Sequence, residues 1–574
     1  MPTAPSSPSP GAPAPSRINT SLERLVADLP DLYPGPGGAV AVIRDGETLV
    51  RHAWGYASLE RRLPFTPASL FRLCSITKQF TCATLLARYR DPEHLNRTLA
   101  PFIARRLPEL PADLRPSALH LAHNQSGLRD YWAMAMLEGA AIEGAFSDAD
   151  AWRLIARTRS LQFSPGTVYS YVNQNFRLLS DAMEQESGRS FSELLQQHLF
   201  TPLGMERAFL AAETRAMPDG TEGYEGMGLG GARPAVNNIY WTGDAGLGAS
   251  LDDMITWEKH IDATRDDAGS LYQRLSAPVT FADGAAASYG FGLQRGTLNG
   301  PDGPLQVTGH GGALRGWRSH RLHVPQHRLS VVVLFNHVSP AHQAAAALAR
   351  AALTAAAPAP SPSSHNPQEA LASAAPFTGV WLEEGTGLSA RISRDTTDPH
   401  SQTRLQLRYL MLPETLTLQS PEQASGPGVM LQRVEGKPDL LKMSRPGENR
   451  VTFLHRLSDR LPEERMVSDT ERRGLAEEAR ALAGTYRNPE TDSTFDVTLA
   501  GGVLHGGFSG LNGTGRMERL HRLAPGLWTF PCPRALDHTA PGDWTLHFTR
   551  EGGRSRVRIG CWLARDLVYE RLPG

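Results

Sequence analysis

Apolar and polar positions follow two different periods along this chain, and the change of period divides it. The run AVAVIRDGETLVRHAWGYAS, beginning at Ala39, reads as two strands broken at Arg44-Asp45-Gly46, the composition of a tight hairpin turn. The pattern then turns helical, in SITKQFTCATLLARY and again in NQNFRLLSDAMEQESG, while LSVVVLFN from Leu329 has the continuous apolar character of a buried strand. Helices placed between early and late strands predict an α/β sandwich, one sheet flanked by helices. From Ala355 the stretch AAAPAPSPSSHNPQEALASAAP, rich in Pro, Ser and Ala, reads as a linker, and beyond it long helical patterns nearly vanish. Phe377-Thr-Gly-Val-Trp381 and Leu482-Ala-Gly-Thr-Tyr486 open two segments alike, and FLHRL at 453 and VYERL at 568 close them alike. Two related all-β units follow from this, small antiparallel barrels of about 80 to 95 residues.

The expected division is a disordered tail over 1–17, a large α/β domain over 18–355, a linker over 356–375, a first barrel over 376–460, a linker over 461–481 and a second barrel over 482–574. A chain of 574 residues has room for about three or four domains. The 58 Lys and Arg balance 59 Asp and Glu, without the basic surplus of a nucleic-acid binder. Four cysteines at 74, 82, 532 and 561 make no CxxC pair, which argues against a disulfide framework or zinc ribbon. The opening MPTAPSSPSPGAPAPS lacks the basic start and apolar run of a secretory signal, and no 18 consecutive apolar residues occur. A cytoplasmic address and no membrane partner are therefore expected.

Lysine is scarce, occurring only at 78, 259, 437 and 442, so a lysine within a motif is informative. Lys78 follows Ser75 by three residues as the chain turns helical, which puts both side chains on one helix face. A buried lysine can lose its proton and act as a base where arginine stays charged, and a serine hydroxyl is a weak nucleophile until such a base takes its proton. The N–H of Ser75, at a helix start, is free to bond a developing oxyanion. Tyr171-Val-Asn173 follows a Pro-Gly turn; a tyrosine can relay a proton, and an asparagine amide can hold a substrate carbonyl while bonding Lys78. In Thr308-Gly-His310-Gly-Gly-Ala313 the glycines, Gly311 and Gly312 included, let a backbone edge approach an extended substrate, with Ala313 N–H a second oxyanion donor. GxSxG, HExxH and GxxxxGK[ST] are absent, so neither metal nor cofactor is expected, and His320, His323 and His327 read as a solvated turn.

SxxK, then YxN about a hundred residues on, then HxG before a final apolar strand resembles the penicillin-recognising serine hydrolases, the group of class C β-lactamases and DD-peptidases. The resemblance covers about Ile18 to Ala355 and includes HNQSGL at 123–128, PLGM at 202–205 and GDAGLGASLDDMITW at 243–257. Over nearly its whole length the chain is similar to the bacterial D-stereospecific aminopeptidases. That resemblance implies a β-lactamase-like catalytic domain followed by two eight-stranded, lipocalin-like antiparallel barrels, and release of an N-terminal D-residue from peptides, amides or esters. It implies Ser75 as nucleophile, Lys78 as its proton partner, Tyr171 and Asn173 as the relay and His310 as the third-motif residue. It also implies a homodimer, interaction with β-lactams, and a last-barrel loop that reaches the active site, here Pro531–Asp543. Asp537 within that loop is the expected ammonium site, and His310 a weak, titratable cation where relatives carry lysine. A DD-carboxypeptidase, esterase or β-lactamase on the same domain, and a binder without turnover, remain open alternatives.

Overall fold

The computed structural model describes residues 20–141, 143–226, 231–301, 303–354, 374–395, 403–409, 413–461, 469–531 and 543–573. Its largest sheet has eight strands in the order 289–290, 293–300, 303–314, 317–324, 329–335, 37–44, 47–58 and 63–64, so the first hairpin completes a sheet whose other strands come from the end of the domain. Val40 faces Val333 and Ala41 faces Val332 across that seam. The hairpin turns at Asp45 (φ 54°) and Gly46 (φ 76°), the left-handed pair that matches strand twist.

Alternation along these strands sends residues to two separate cores. Ala39, Ala41, Ile43, Val332 and Leu334 join the core that holds Phe80 and Trp257, while Val40, Val42, Val331 and Val333 join one that holds Leu22, Leu29 and Leu348. Helices Thr77–Arg88 and Leu251–Thr264 supply the first face, and Thr20–Leu32 and Ala341–Leu353 the second. Both faces are covered, which is why these strands are apolar throughout. Among the described residues no helix is long and apolar enough to cross a membrane.

Residues 379–458 form a closed eight-stranded barrel in simple chain order, its first strand, Gly379–Glu383, paired with its last, Arg450–Ser458. The second unit is a longer sheet in which strand 484–487 pairs with the final strand 567–571. It is a ten-stranded half-barrel rather than the expected closed eight-stranded one, and the run Glu518–Ala524 pairs with 503–510 at its start and with 527–530 at its end. The repeated openings have the same anchor: Trp381 Nε1 donates to Phe377 O at 2.9 Å, and Tyr486 Oη to Leu482 O at 2.8 Å, each four residues back. Part of the span read as a second linker is instead the helix Asp469–Leu482. Its Glu478 accepts from Arg522, Gly526 N–H and Trp528 Nε1, fastening the helix to the second unit.

Both barrel units press turns against the α/β domain. In the first, Glu448 O accepts from Tyr169 N–H (3.1 Å) and Gly447 O from Ser288 Oγ (3.0 Å). In the second, the loop Cys561–Asp566 receives Asp130 N–H on Leu563 O at 2.8 Å.

Candidate active site

Ser75 lies in a single 3-10 turn, Cys74–Ile76, that runs into the helix Thr77–Arg88. Cys74 is held at φ 53°, a left-handed conformation uncommon outside glycine, and the surroundings fix it there. Cys74 Sγ donates to Arg72 O at 3.1 Å and Ser319 Oγ donates to Leu73 O at 2.9 Å. Gly312 passes so close that a Cβ would sit 2.4 Å from Leu73 O. Only glycine lets that strand run over the turn that carries Ser75.

One helical turn on, Lys78 is fully buried. Its Nζ contacts Ser75 Oγ at 3.1 Å, Asn173 Oδ1 at 2.9 Å and Asp244 O at 2.7 Å. Two of these oxygens can only accept, whereas the serine hydroxyl can accept or donate. Two N–H groups are therefore pinned, and the third position of the nitrogen faces Ser75. A proton can pass between Oγ and Nζ along that line without moving either heavy atom. The Asp244 side chain points the other way, to Tyr131 Oη (2.5 Å) and Thr242 N–H (3.0 Å).

Tyr171 and Asn173 end the loop that enters the helix Gln174–Ser187. Lys78 Nζ lies 4.9 Å from the centroid of the half-buried Tyr171 ring. Asn173 is buried; its backbone N–H donates to Asp130 Oδ2 at 2.6 Å, and its Nδ2 has no partner among the described residues. With its oxygen committed to Lys78, that amide nitrogen is the group left to meet a substrate carbonyl.

His310 stands on the strand Gly303–Leu314, whose neighbour on one side stops at the pair Gln294 and Gly309. Among the described residues, 310–314 thus have a strand partner only on the other side, Trp317–Val324, and Gly311 and Ala313 are half-buried along that edge. His310 Nδ1 lies 2.5 Å from Gly311 O, and Nε2 3.1 Å from Tyr289 Oη. A carbonyl cannot donate, so Nδ1 carries the proton and Nε2 accepts from the phenol. Burial, with the Lys78 charge behind it, pushes the imidazole down to a pKa of about 3. Burial also raises the Tyr289 phenol well above its ordinary value, keeping it a donor. The expectation of a titratable cation here is corrected: the third motif presents a neutral histidine. The reading of His320 and His323 as a solvated turn is likewise overturned. On the strand 317–324 His323 is buried and His320 half-buried, and desolvation lowers both imidazoles to pKa values of about 3.

Ser75, Lys78, Tyr171, Asn173 and His310 are thus brought together, with Gly311, Gly312 and Ala313 on the strand beside them. Asp537 lies outside the described residues, as does all of its loop between Pro531 and Asp543. At the loop's far end Asp543 pairs with Arg391 of the first barrel at 2.8 Å. Sequence reading missed Asp244, Tyr289 and Asp130. Asp244 stood within GDAGLG and Asp130 directly after HNQSGLR, but no local spacing marks either, because Asp244 O meets Lys78 across 166 residues of chain and Asp130 meets Asn173 across 43. A buried serine, a lysine that contacts its hydroxyl and a strand edge without a strand partner among the described residues form an arrangement suited to acyl transfer.

The β-lactamase family profile matches residues 22–356, and a profile described as D-aminopeptidase, domain B, matches 370–570. A D-aminopeptidase of Gluconobacter oxydans is 56% identical over 560 residues, covering 97% of this chain and 99% of that protein. One of Cereibacter sphaeroides is 41% identical over 96% of this chain and 99% of its own length. Among solved structures, D-amino acid amidase from Ochrobactrum anthropi aligns with a TM-score of 0.47 at 20% identity, over 58% of this chain and 98% of that one.

Proposed function

The chain belongs to the D-aminopeptidase family of β-lactamase-like serine hydrolases, and from that membership we propose that it releases the N-terminal D-amino acid from small peptides, amides and esters through an acyl-enzyme on Ser75. Ser75 Oγ attacks the carbonyl of the first residue while Lys78 Nζ, facing it at 3.1 Å, takes the proton. The N–H groups of Ser75 and Ala313 receive the oxyanion, and Asn173 Nδ2 holds a substrate carbonyl. Removal of one such oxyanion donor costs about 3 to 4 kcal/mol in comparable sites. Lys78, with Tyr171 beside it, returns the proton to the leaving amine, and water then frees the D-amino acid.

The observation that carries the reading is the buried Ser75 and Lys78 pair beside a third motif that holds no charge. A cation at His310 would recruit a substrate carboxylate; a neutral ring leaves the site without that attraction and suits a substrate that presents a free amine. Asp537 is the proposed partner of that ammonium. The same reading includes a homodimer, a cytoplasmic address and inhibition by β-lactams, all resting on the family resemblance.

Hydrolysis of D- and L-alanine p-nitroanilides, with the D-substrate repeated in N-acetylated form and Ser75→Ala as control, tests it. Turnover of the free-amine D-substrate alone, abolished in a folded Ser75→Ala protein, is expected. Equal cleavage of the acetylated substrate would replace this reading with a carboxypeptidase or esterase, and acylation without turnover would replace it with a binder.

A further inference from the structure

The loop Cys561–Asp566 joins two strands of the second barrel unit yet is buried against the catalytic domain, with Cys561, Leu563, Ala564 and Arg565 almost wholly enclosed. It grips two separate segments of that domain. Leu563 O accepts from Asp130 N–H at 2.8 Å, and Arg565 O accepts from Arg129 Nε at 2.8 Å. Arg565 N–H donates to Gln162 Oε1 at 3.2 Å, and Gln162 Nε2 in turn donates to Leu128 O at 2.8 Å and Ser170 Oγ at 3.2 Å. The Trp562 ring lies 6.1 Å from that of Tyr169. The loop therefore spans the segment Leu128–Asp130 and the segment that delivers Ser170, Tyr171 and Asn173.

Asp130 is where this grip meets the reaction. Its side chain is fully buried, and both oxygens are engaged: Oδ1 accepts from Trp132 N–H at 3.0 Å and Oδ2 from Asn173 N–H at 2.6 Å. Asn173 passes its own Oδ1 to Lys78 Nζ at 2.9 Å, and Lys78 faces Ser75 at 3.1 Å. Asn173 precedes the helix Gln174–Ser187 without capping it by its side chain, so its amide is set by this backbone bond and by Lys78. A carboxylate can accept two N–H groups at once; an asparagine offers one oxygen and turns an N–H against a second N–H.

We propose that Asp130 is a positioning residue: the second barrel, through the Leu563 carbonyl, sets Asp130, which sets Asn173 and thereby Lys78 for its exchange with Ser75. This rests on the reading of Lys78 as the group that takes the Ser75 proton. It assigns the barrel a part in the reaction that does not depend on its reaching substrate. Lys78 faces Ser75, Tyr171, the neutral His310, Cys82 and the Asp244 carbonyl on its other sides, and Asp130 alters none of these directly.

The test compares Asp130→Ala, Asp130→Asn and Gln162→Ala with the parent, full-length in each case. Turnover of D-alanine p-nitroanilide is one readout. The other needs no substrate: with four lysines in the chain, the Nζ-bearing carbon of Lys78 is resolvable by NMR in lysine-labelled protein and its titration can be followed. Asp130→Ala is expected to lower kcat about 100-fold with KM little changed, as misplacement of a reacting group does, and Asp130→Asn about 10-fold. Gln162→Ala, which leaves Asp130 in place, is expected to fall between the parent and Asp130→Asn. The Lys78 titration should move to lower pH in the same order, because a charged form that loses a fixed acceptor is less favoured. A loss of turnover that tracks only the folded fraction, with the Lys78 titration of the parent, would overturn the proposal. Should Asp130→Ala not fold, parental Lys78 titrations in the other two variants overturn it equally. If the parent fails to cleave the substrate, the aminopeptidase reading fails, and the Lys78 signal still decides the role of Asp130.

Discussion

Lys78 is held by geometry that a longer or permanently charged group cannot reproduce. It is enclosed, two of its contacts are oxygens that only accept, and the third is the hydroxyl it deprotonates in the proposed reaction. Lys78→Arg keeps the charge but cannot give up a proton, so kcat/KM is expected to drop by at least about 10³-fold while the protein stays folded. Steady-state kinetics beside a thermal melt checks both halves, and activity within about tenfold of the parent would remove Lys78 from proton transfer. The serine and lysine were legible in the sequence because their relation is local, one turn of one helix. The neutrality of His310 was not. It depends on enclosure and on Tyr289, 21 residues earlier and two strands away, and neither leaves a mark around the Gly-His-Gly-Gly motif.

At the scale of elements, the early hairpin and the late apolar strand were legible for the same reason: turn chemistry and strand period are written in adjacent residues. The helix Asp469–Leu482 was not, since charged residues fill half of it and its fastening to the second unit comes through Glu478. The short helix Tyr131–Leu137 shows how an element end becomes an interface. Glu138, at its end, gives its carbonyl to Asn512 N–H of the second barrel at 2.9 Å. Its buried carboxyl lies beside a cavity of about 40 Å³ lined also by Arg129, Arg157 and Glu490, and its Oε2 has no partner among the described residues. Burial, opposed by Arg157 and Arg153, pushes that carboxyl up to a pKa of about 7. Between its ordinary range and pH 7 the native protein keeps a proton that the unfolded chain has lost, so stability declines as pH rises through this window. Glu138→Gln is expected to raise stability at pH 8 by on the order of 2 kcal/mol and to change it little at pH 5. Denaturant unfolding at the two pH values checks this, and equal effects at both would show that the carboxyl is not buried in its charged form.

Over the whole molecule, the catalytic domain carries an unusual load of enclosed neutral imidazoles. His123, His310, His320 and His323 are each pushed to a pKa of about 3, with burial the first cause in every case. Their folded values lie below the unfolded one, so the stability they permit is present above about pH 6.5 and is lost as pH falls toward 3. The unfolded chain takes up about one more proton than the native protein at each of these sites near pH 5. The slope of Tm against pH between 6.5 and 4 should accordingly be shallower in His320→Gln than in the parent, and an unchanged slope would mean that His320 titrates alike in both states. The three-part order of the chain was readable from composition and from the repeated openings at 377 and 482. How the parts meet was not, because the contacts are made by turns such as Pro446–Asn449 and Cys561–Asp566, whose residues have no periodic pattern.

The proposed reaction passes through a D-aminoacyl group carried by Ser75. Rapid-quench mass spectrometry of the protein mixed with excess D-alanine p-nitroanilide, followed by peptide mapping, observes that species directly. A transient gain of one alanyl group on the peptide that contains Ser75, formed from the D-substrate and not from its L-enantiomer, is the predicted result. Turnover with the label on another residue, or equal labelling by both enantiomers, would contradict it.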